Sequence, residues 1–210
     1  MTATIAPDSI IEPGWGAVAD VFRRNFDYGE VGAACCVYQD GRPVVDVWGG
    51  LADRGAGRPW ARETIVIIFS CTKGVTALAA NQLIEAGRLD PDAAVADYWP
   101  EFAANGKAGI TVRMVLSHRA GLAAVDGDLT LDDIVAWDPV IGAIAAQAPN
   151  WEPGTGHGYH SRSFGWIVGE LIRRVTGRMP GDYVADEIAR PLGLDFFLGT
   201  PESEDARIAT

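Results

Sequence analysis

Strand-forming sequence is confined to the first third of this chain and helix-forming sequence to the rest, and that order limits the fold more than any other feature. Two β-rich runs, Val31 to Gln39 and Arg42 to Gly49, are separated by Asp40-Gly41, a pair that tolerates the positive φ angles of a tight hairpin. Thr64 to Ile68 reads as a third strand. Cys71 to Glu85, rich in Ala, Leu and Val, reads as a long helix closed by Gly87. Ahead of the hairpin, residues 15–25 form a short amphipathic pattern with Val18, Val21 and Phe22 on one face. From Pro91 onward the pattern is helix and loop, with caps at Thr111, Thr130 and Asp138, the last followed by Pro139 at the first helical position. A later helix, Ser163 to Val175, carries Trp166, Ile167, Leu171 and Ile172 on its apolar stripe and stops at Gly177. Beyond it only Phe196-Phe197-Leu198 looks strand-like.

Strands followed by helices predict an α/β architecture of the α+β type, an antiparallel sheet flanked by helices plus a mostly helical subdomain. The expected divisions are 1–90 for the helix, hairpin, third strand and following helix, 91–195 for the helical part, and 196–210 for the start of a return to the sheet. Three strands leave an edge unpaired, an arrangement that demands a cover, so the remaining strands are expected beyond residue 210.

Apolar residues make up 48% of the chain and charged residues 21%, enough apolar material for one sizeable core. A net charge of −11 argues against nucleic-acid or anionic-membrane partners. The first ten residues lack a positive n-region and a continuous apolar h-region, and no apolar run reaches the ~20 residues that span a bilayer, so the expected location is cytoplasmic. Cys35, Cys36 and Cys71 are odd in number, and neighbouring cysteines on a strand point to opposite faces. Small buried thiols in a reducing compartment are expected rather than a disulfide framework.

The chemistry concentrates in Ile68-Phe69-Ser70-Cys71-Thr72-Lys73-Gly74. On a helix, positions i and i+3 share a face, so a helix starting near Ser70 brings the Lys73 amine toward the Ser70 hydroxyl. The helix start adds unpaired backbone N–H groups and positive potential, which favour an alkoxide and the oxyanion that follows attack. Of the 17 basic residues only Lys73 and Lys107 are lysines. A chain that prefers arginine has placed a lysine three residues after a serine, and only lysine can lose its proton when buried.

A second segment, Trp151-Glu152-Pro153-Gly154-Thr155-Gly156-His157-Gly158-Tyr159-His160-Ser161, holds a turn and then a tyrosine just before a helix. Together with Ser70-Cys71-Thr72-Lys73 and the loop Leu116-Ser117-His118-Arg119-Ala120-Gly121-Leu122, it resembles the serine β-lactamase and penicillin-binding-protein superfamily. The likeness is greatest to class C β-lactamases and family VIII carboxylesterases and covers most of residues 14–200. The resemblance implies that Ser70 is the acylated nucleophile, that Lys73 accepts its proton, and that Tyr159 shuttles protons to the leaving group and the deacylating water. Ser161 stands where the lactamases have an asparagine that contacts the substrate amide, which favours an ester substrate. The family's third motif, a Lys-Thr-Gly or Trp/His-Gly variant on a later strand that supplies a second oxyanion N–H, has no counterpart in these residues.

Other constellations are weaker. His118, His157 and His160 invite a Ser-His-Asp reading, yet no serine stands in a Gly-x-Ser-x-Gly elbow. His118 is expected to tie down the 117–121 loop, and His160 to line the pocket or serve the structure. No carboxylate or cysteine lies at metal-ligand spacing from these histidines, so neither metal nor cofactor is expected. The tryptophans at 48, 60, 99, 137, 151 and 166 read as core or pocket wall, with Trp151 the best placed to touch a ligand. The candidate binding residues are therefore Ser161, His160 and Trp151, and the expected partner is a small-molecule ester or amide. Three functions remain open at this point: an esterase acting through Ser70, a β-lactamase or D-alanyl-D-alanine carboxypeptidase, and a silent domain that binds a partner through its open sheet edge.

Overall fold

The computed structural model describes residues 5–210, which form two compact units, residues 5–67 with 201–210, and residues 68–200. The fold is α+β, as the order of periodicities requires.

The first unit is built on an antiparallel sheet. Strand β1 (Ile10–Ile11) precedes helix α1 (Gly16–Asn25), and β2 (Gly32–Gln39), β3 (Arg42–Asp53) and β4 (Arg58–Pro59) follow. The order is β1-β3-β2, with β4 also paired to β3. Asp40 and Gly41 both take positive φ, 51° and 76°, which closes the hairpin in the expected register, Gln39 opposite Arg42. The α1 helix lays Phe22 against Val45 and Val47 of β3, while Val21, expected on that face, is half exposed. Thr64 to Ile68 is not a strand. Only Ile65 pairs, through one parallel bridge to Ile208, and Val66 and Ile67 are half exposed or more. The apolar run has β-propensity but no neighbouring strand to complete a ladder, and propensity alone does not hold a strand.

The second unit is helical. Helix α2 (Thr72–Glu85) ends before Gly87, whose φ is 67°, and buries Thr76, Ala79, Ala80 and Leu83 at helical spacing. The short helices α3 (Val95–Tyr98), α4 (Val112–Leu116), α5 (Leu131–Ala136) and α6 (Asp138–Ala146) lead to α7 (Ser163–Thr176), and α8 (Pro180–Val184) follows it. The core is one cluster in which α7 contributes Phe164, Ile167, Val168, Leu171 and Ile172, and α2 packs along it. Thr111 and Thr130 cap α4 and α5 as the sequence predicts, their hydroxyls accepting from Met114 and Asp133 N–H. The cap of α6 is Trp137 rather than Asp138, which is already helical. Phe196-Phe197-Leu198 is loop, with no strand beside it among the described residues.

Lys107 is wholly buried and lies far from any functional pattern in the sequence. Its ammonium donates to the carbonyls of Ala104 and Ala145, at 2.7 and 3.0 Å, and to that of Gln147. It therefore closes the carbonyl end of α6, where helix carbonyls lack intrahelical partners. Lys107→Met keeps the chain length and strips three acceptors of their donor, so urea unfolding is expected to show a loss of about 2–4 kcal/mol. A loss below about 1 kcal/mol would mean that water or rearrangement satisfies these carbonyls equally well.

Candidate active site

Lys73 continues the buried stripe of α2, one turn before Thr76, and this stripe faces α7. The lysine is thus directed toward the segment that leads into α7 rather than into solvent. Ser70 precedes it in a single 3-10 turn, Phe69–Cys71, joined directly to α2. The Lys73 Nζ donates to Ser70 Oγ at 3.1 Å, the one-turn contact that the spacing predicts. The Ser70 N–H, at the open start of this helical stretch, has no hydrogen bond among the described residues. Phe69, just before Ser70, has φ of 45° and is largely exposed. A bulky side chain seldom adopts positive φ, so the chain is bent sharply at the point where it delivers Ser70.

Tyr159 is brought to this pair from 89 residues away by hydrogen bonds between two loops. Its ring centre lies 4.9 Å from Lys73 Nζ. Hydrogen bonding from Ser70 and then Lys73 draws the phenol below its ordinary pKa, against a smaller opposing effect of burial. The segment that carries Tyr159 is tied to the 116–122 loop rung by rung. Asn150 N–H donates to Gly121 C=O at 2.6 Å, Gly154 N–H to Arg119 C=O at 2.9 Å, and Gly158 N–H to His118 C=O at 3.2 Å. The His160 N–H donates to His118 Nδ1 at 3.2 Å. Gly121 must be glycine here: its φ is 75°, and a Cβ would lie 2.5 Å from the Trp151 carbonyl oxygen.

The predicted binding residues separate. Ser161 is exposed and lines a cavity of about 570 Å³ that Lys73 and Phe69 also line. His160 is wholly buried: Nε2 accepts from Leu122 N–H at 3.0 Å, so Nδ1 carries the proton that goes to Gly158 C=O at 2.6 Å. This ring is consumed by the fold and presents nothing to a ligand. Trp151 packs its indole over Gly158 and edge-on to His160, and its Nε1 is buried with no partner among the described residues. His118 does more than hold its own loop, because its ring nitrogen and its carbonyl fix both sides of Tyr159. Its ring lies 5.0 Å from that of Tyr159.

Two functional features had only faint sequence signals. Trp137 takes φ 66°, ψ −62°, and its Nε1 donates to Glu170 Oε2 at 3.0 Å. Glu170 is wholly buried on the apolar face of α7. Burial alone would raise its pKa, but hydrogen bonds from Arg173, Trp137 and Arg174 prevail and hold it below the usual carboxylate range. A lone glutamate within the apolar stripe, followed at i+3 and i+4 by arginines, was the available clue. Among the described residues no cluster of side chains is arranged to hold a metal, and no helix is long and apolar enough to cross a membrane.

Comparison with known proteins agrees with this geometry. The profile of the Beta-lactamase family matches residues 8–210. The chain is 42% identical to the Esterase/beta-lactamase LipL of Mycobacterium tuberculosis (strain ATCC 25618 / H37Rv), over 92% of this chain and 45% of that protein. It is 30% identical to Esterase EstB of Burkholderia gladioli, over 78% of this chain and 46% of that protein. Among solved structures, a family VIII carboxylesterase superposes with a TM-score of 0.91 at 44% identity, covering 98% of this chain and 57% of that one. The chain spans about half the length of the curated relatives it matches.

The histidines that hold the Tyr159 segment also make it acid-sensitive. Burial first, then the neighbouring His160, His157 and Lys73 charges, hold His118 below the ordinary histidine pKa. Burial likewise lowers His160, against the Gly158 carbonyl. Both rings therefore remain neutral in the folded chain at pH values where the unfolded chain binds protons, at about 6.5 and below. Stability should be level above about pH 7 and fall as pH drops from about 6.5 through the lower folded values. Thermal melts from pH 7 to 5 on the parent and on a His118→Gln, His160→Gln double variant test this. An equally steep decline in the variant would place the acid sensitivity elsewhere.

Proposed function

Because this chain belongs to the Beta-lactamase family, we propose that it is a serine hydrolase that opens carboxylic esters through an acyl-enzyme on Ser70. The observation that carries this reading is the 3.1 Å contact between Lys73 Nζ and Ser70 Oγ, with Tyr159 against the same amine. In the first step Ser70 Oγ bonds to the ester carbonyl carbon while its proton passes to the Lys73 amine, which later restores the proton that the Tyr159 phenol gives up. Negative charge then collects on the carbonyl oxygen, which the Ser70 N–H at the helix start is free to receive. Collapse breaks the bond to the alcohol oxygen, and Tyr159 returns the proton to it. Water attacks the acyl carbon next, gives its proton to the same pair, and releases a carboxylic acid as Ser70 recovers its hydrogen. Proton transfers of this kind typically contribute about 10²–10⁴-fold each.

Ser161 supports an ester over an amide. A short hydroxyl at this position leaves open the place where the resemblance expects a side-chain amide to grip the substrate amide. Of the relatives, EstB is named an esterase and LipL an esterase/beta-lactamase, so ester opening is the activity that the two names share.

An alkyl fluorophosphonate reports the first step without requiring turnover. Ser70 Oγ bonds to phosphorus, fluoride leaves, and intact-protein mass records the adduct. Labelling should be lost in Ser70→Ala and slowed about 10²–10⁴-fold in Lys73→Met and Tyr159→Phe, with p-nitrophenyl ester hydrolysis following the same order. Labelling that persists in Ser70→Ala would remove this serine from the chemistry, and nitrocefin turnover equal to ester turnover would move the substrate to β-lactams.

A further inference from the structure

Trp137 is strained, and the group that holds it has no part in the proton transfers at Ser70. Its φ of 66° and ψ of −62° lie where a bulky side chain rarely settles, and it stands at the start of α6 without giving that helix a side-chain hydrogen bond. What the conformation provides is a place for the indole. The ring stands 4.5 Å from that of Trp166, centre to centre, and both line the 570 Å³ cavity that Lys73, Phe69 and Ser161 also line. Lys73 in turn holds Ser70, at 3.1 Å. Backbone strain persists only where the surroundings over-determine it, and it gathers at functional sites. At Trp137 the surroundings are one carboxylate and one glycine. Glu170 Oε2 accepts from the indole Nε1 at 3.0 Å, and Gly169 supplies the clearance, since a Cβ there would lie 2.8 Å from the ring.

We propose that Glu170 is a positioning residue, which fixes the Trp137 indole as a wall of the cavity beside Lys73 and thereby sets how tightly the ester is held. This rests on the reading of Ser70 as the nucleophile. Glu170 is wholly buried and its carboxylate is filled. Besides the indole, Arg173 donates to both of its oxygens at 2.7 and 2.9 Å, and Arg174 to Oε1 at 2.7 Å. Four N–H donors on two oxygens are the full capacity of a carboxylate, so none remains for a substrate or a proton, and Glu170 acts only through what it holds. Both arginines lie on the same helix as Glu170 and are anchored again by Asp138 and Glu101, at 3.2 and 3.1 Å. The indole is therefore referenced to α7, the helix against which α2 packs the stripe that carries Lys73. Lys73 keeps its direction through that packing whether or not the indole stays, so release of the indole should weaken ester binding and leave the chemical step intact.

The test is steady-state hydrolysis of p-nitrophenyl butyrate by two variants of Glu170. Glu170→Met keeps the length of the side chain and removes the acceptor, whereas Glu170→Gln keeps an oxygen for the indole N–H. In Glu170→Met, KM should rise about tenfold, the scale on which an apolar wall discriminates, with kcat within about twofold of the parent. Glu170→Gln should restore KM. The decisive comparison is made in Trp137→Phe, where Glu170→Met should raise KM no further, because the two residues act as one unit. An equal rise in that background overturns the assignment, as does a fall in kcat with KM unchanged, or a Glu170→Gln variant as impaired as Glu170→Met. If Glu170→Met does not fold, Trp137→Phe breaks the same hydrogen bond from the indole side, and a KM equal to the parent's overturns the proposal. If the parent neither hydrolyses the ester nor labels at Ser70, the hydrolase reading itself fails. The positioning is then read from circular dichroism, in which two indoles this close give a coupled exciton band. Loss of the band in Glu170→Met and in Trp137→Phe, with the band kept in Glu170→Gln, upholds the role of Glu170. A band that survives Glu170→Met, or that the parent lacks, overturns it.

Discussion

The contact on which the site depends is the one-turn reach from Lys73 to Ser70, and its geometry comes from packing at some distance from either residue. Lys73 points where it does because Thr76, Ala80 and Leu83, on the same stripe of α2, are buried against α7. Rotating α2 to expose that stripe would remove those side chains from the core, so the lysine's direction is fixed by apolar burial rather than by its own single hydrogen bond. Ser70 gains its position differently. It lies in a 3-10 turn outside the regular helix, aimed by the strained backbone at Phe69, and this leaves its N–H without a partner where an oxyanion would form. Tyr159 arrives by a third route, a ladder of backbone hydrogen bonds to the 116–122 loop. Each group is thus held by a separate structural device, and the proposed chemistry needs all three to meet.

Much of this was legible in the sequence wherever a local signal and the tertiary outcome agreed. The Asp40-Gly41 hairpin, the span of α2, the stripe of α7 and the caps at Thr111 and Thr130 all have causes contained within a few residues. The failures have a common cause as well. Thr64 to Ile68 and Phe196 to Leu198 have strand composition, but a strand is completed by its neighbour, which no local pattern reveals. His160, read as lining the pocket or serving the structure, does the second, because its two ring nitrogens answer a carbonyl two residues back and an N–H 38 residues away. Trp137 takes the cap position expected of Asp138, and its indole N–H is held from another helix by the buried carboxylate of Glu170.

Backbone strain separates functional from incidental features in this chain. Among the described residues five non-glycine residues have positive φ: Asp40, Phe69, Asn105, His118 and Trp137. Asp40 and Asn105 are of the types that tolerate it and lie in turns, so nothing more is needed to explain them. Of the other three, Phe69 and Trp137 are bulky aromatics that seldom take that conformation, and all three, His118 included, bear on the site. Phe69 delivers Ser70, His118 clamps the Tyr159 segment, and Trp137 walls the cavity beside Lys73. Strain of order 1–3 kcal/mol per residue persists only where the surroundings over-determine it. In all three cases the surroundings are visible: the start of α2, the rungs between two loops, and the Glu170 network.

The two lysines show how one side chain serves opposite ends in the same unit. At Lys107 the ammonium is sealed from water, and its three donors meet carbonyl oxygens only, with burial pulling its pKa downward. A guanidinium could not replace it, because a flat fork cannot converge on three oxygens around a point. At Lys73 the same compact head meets the Ser70 hydroxyl and the Tyr159 phenol, and is only partly buried. In the proposed mechanism, arginine at this position would leave Ser70 with no acceptor for its proton. In a chain that elsewhere uses arginine for its positive charge, the two positions that kept lysine are the two where a small, exchangeable or convergent donor is required.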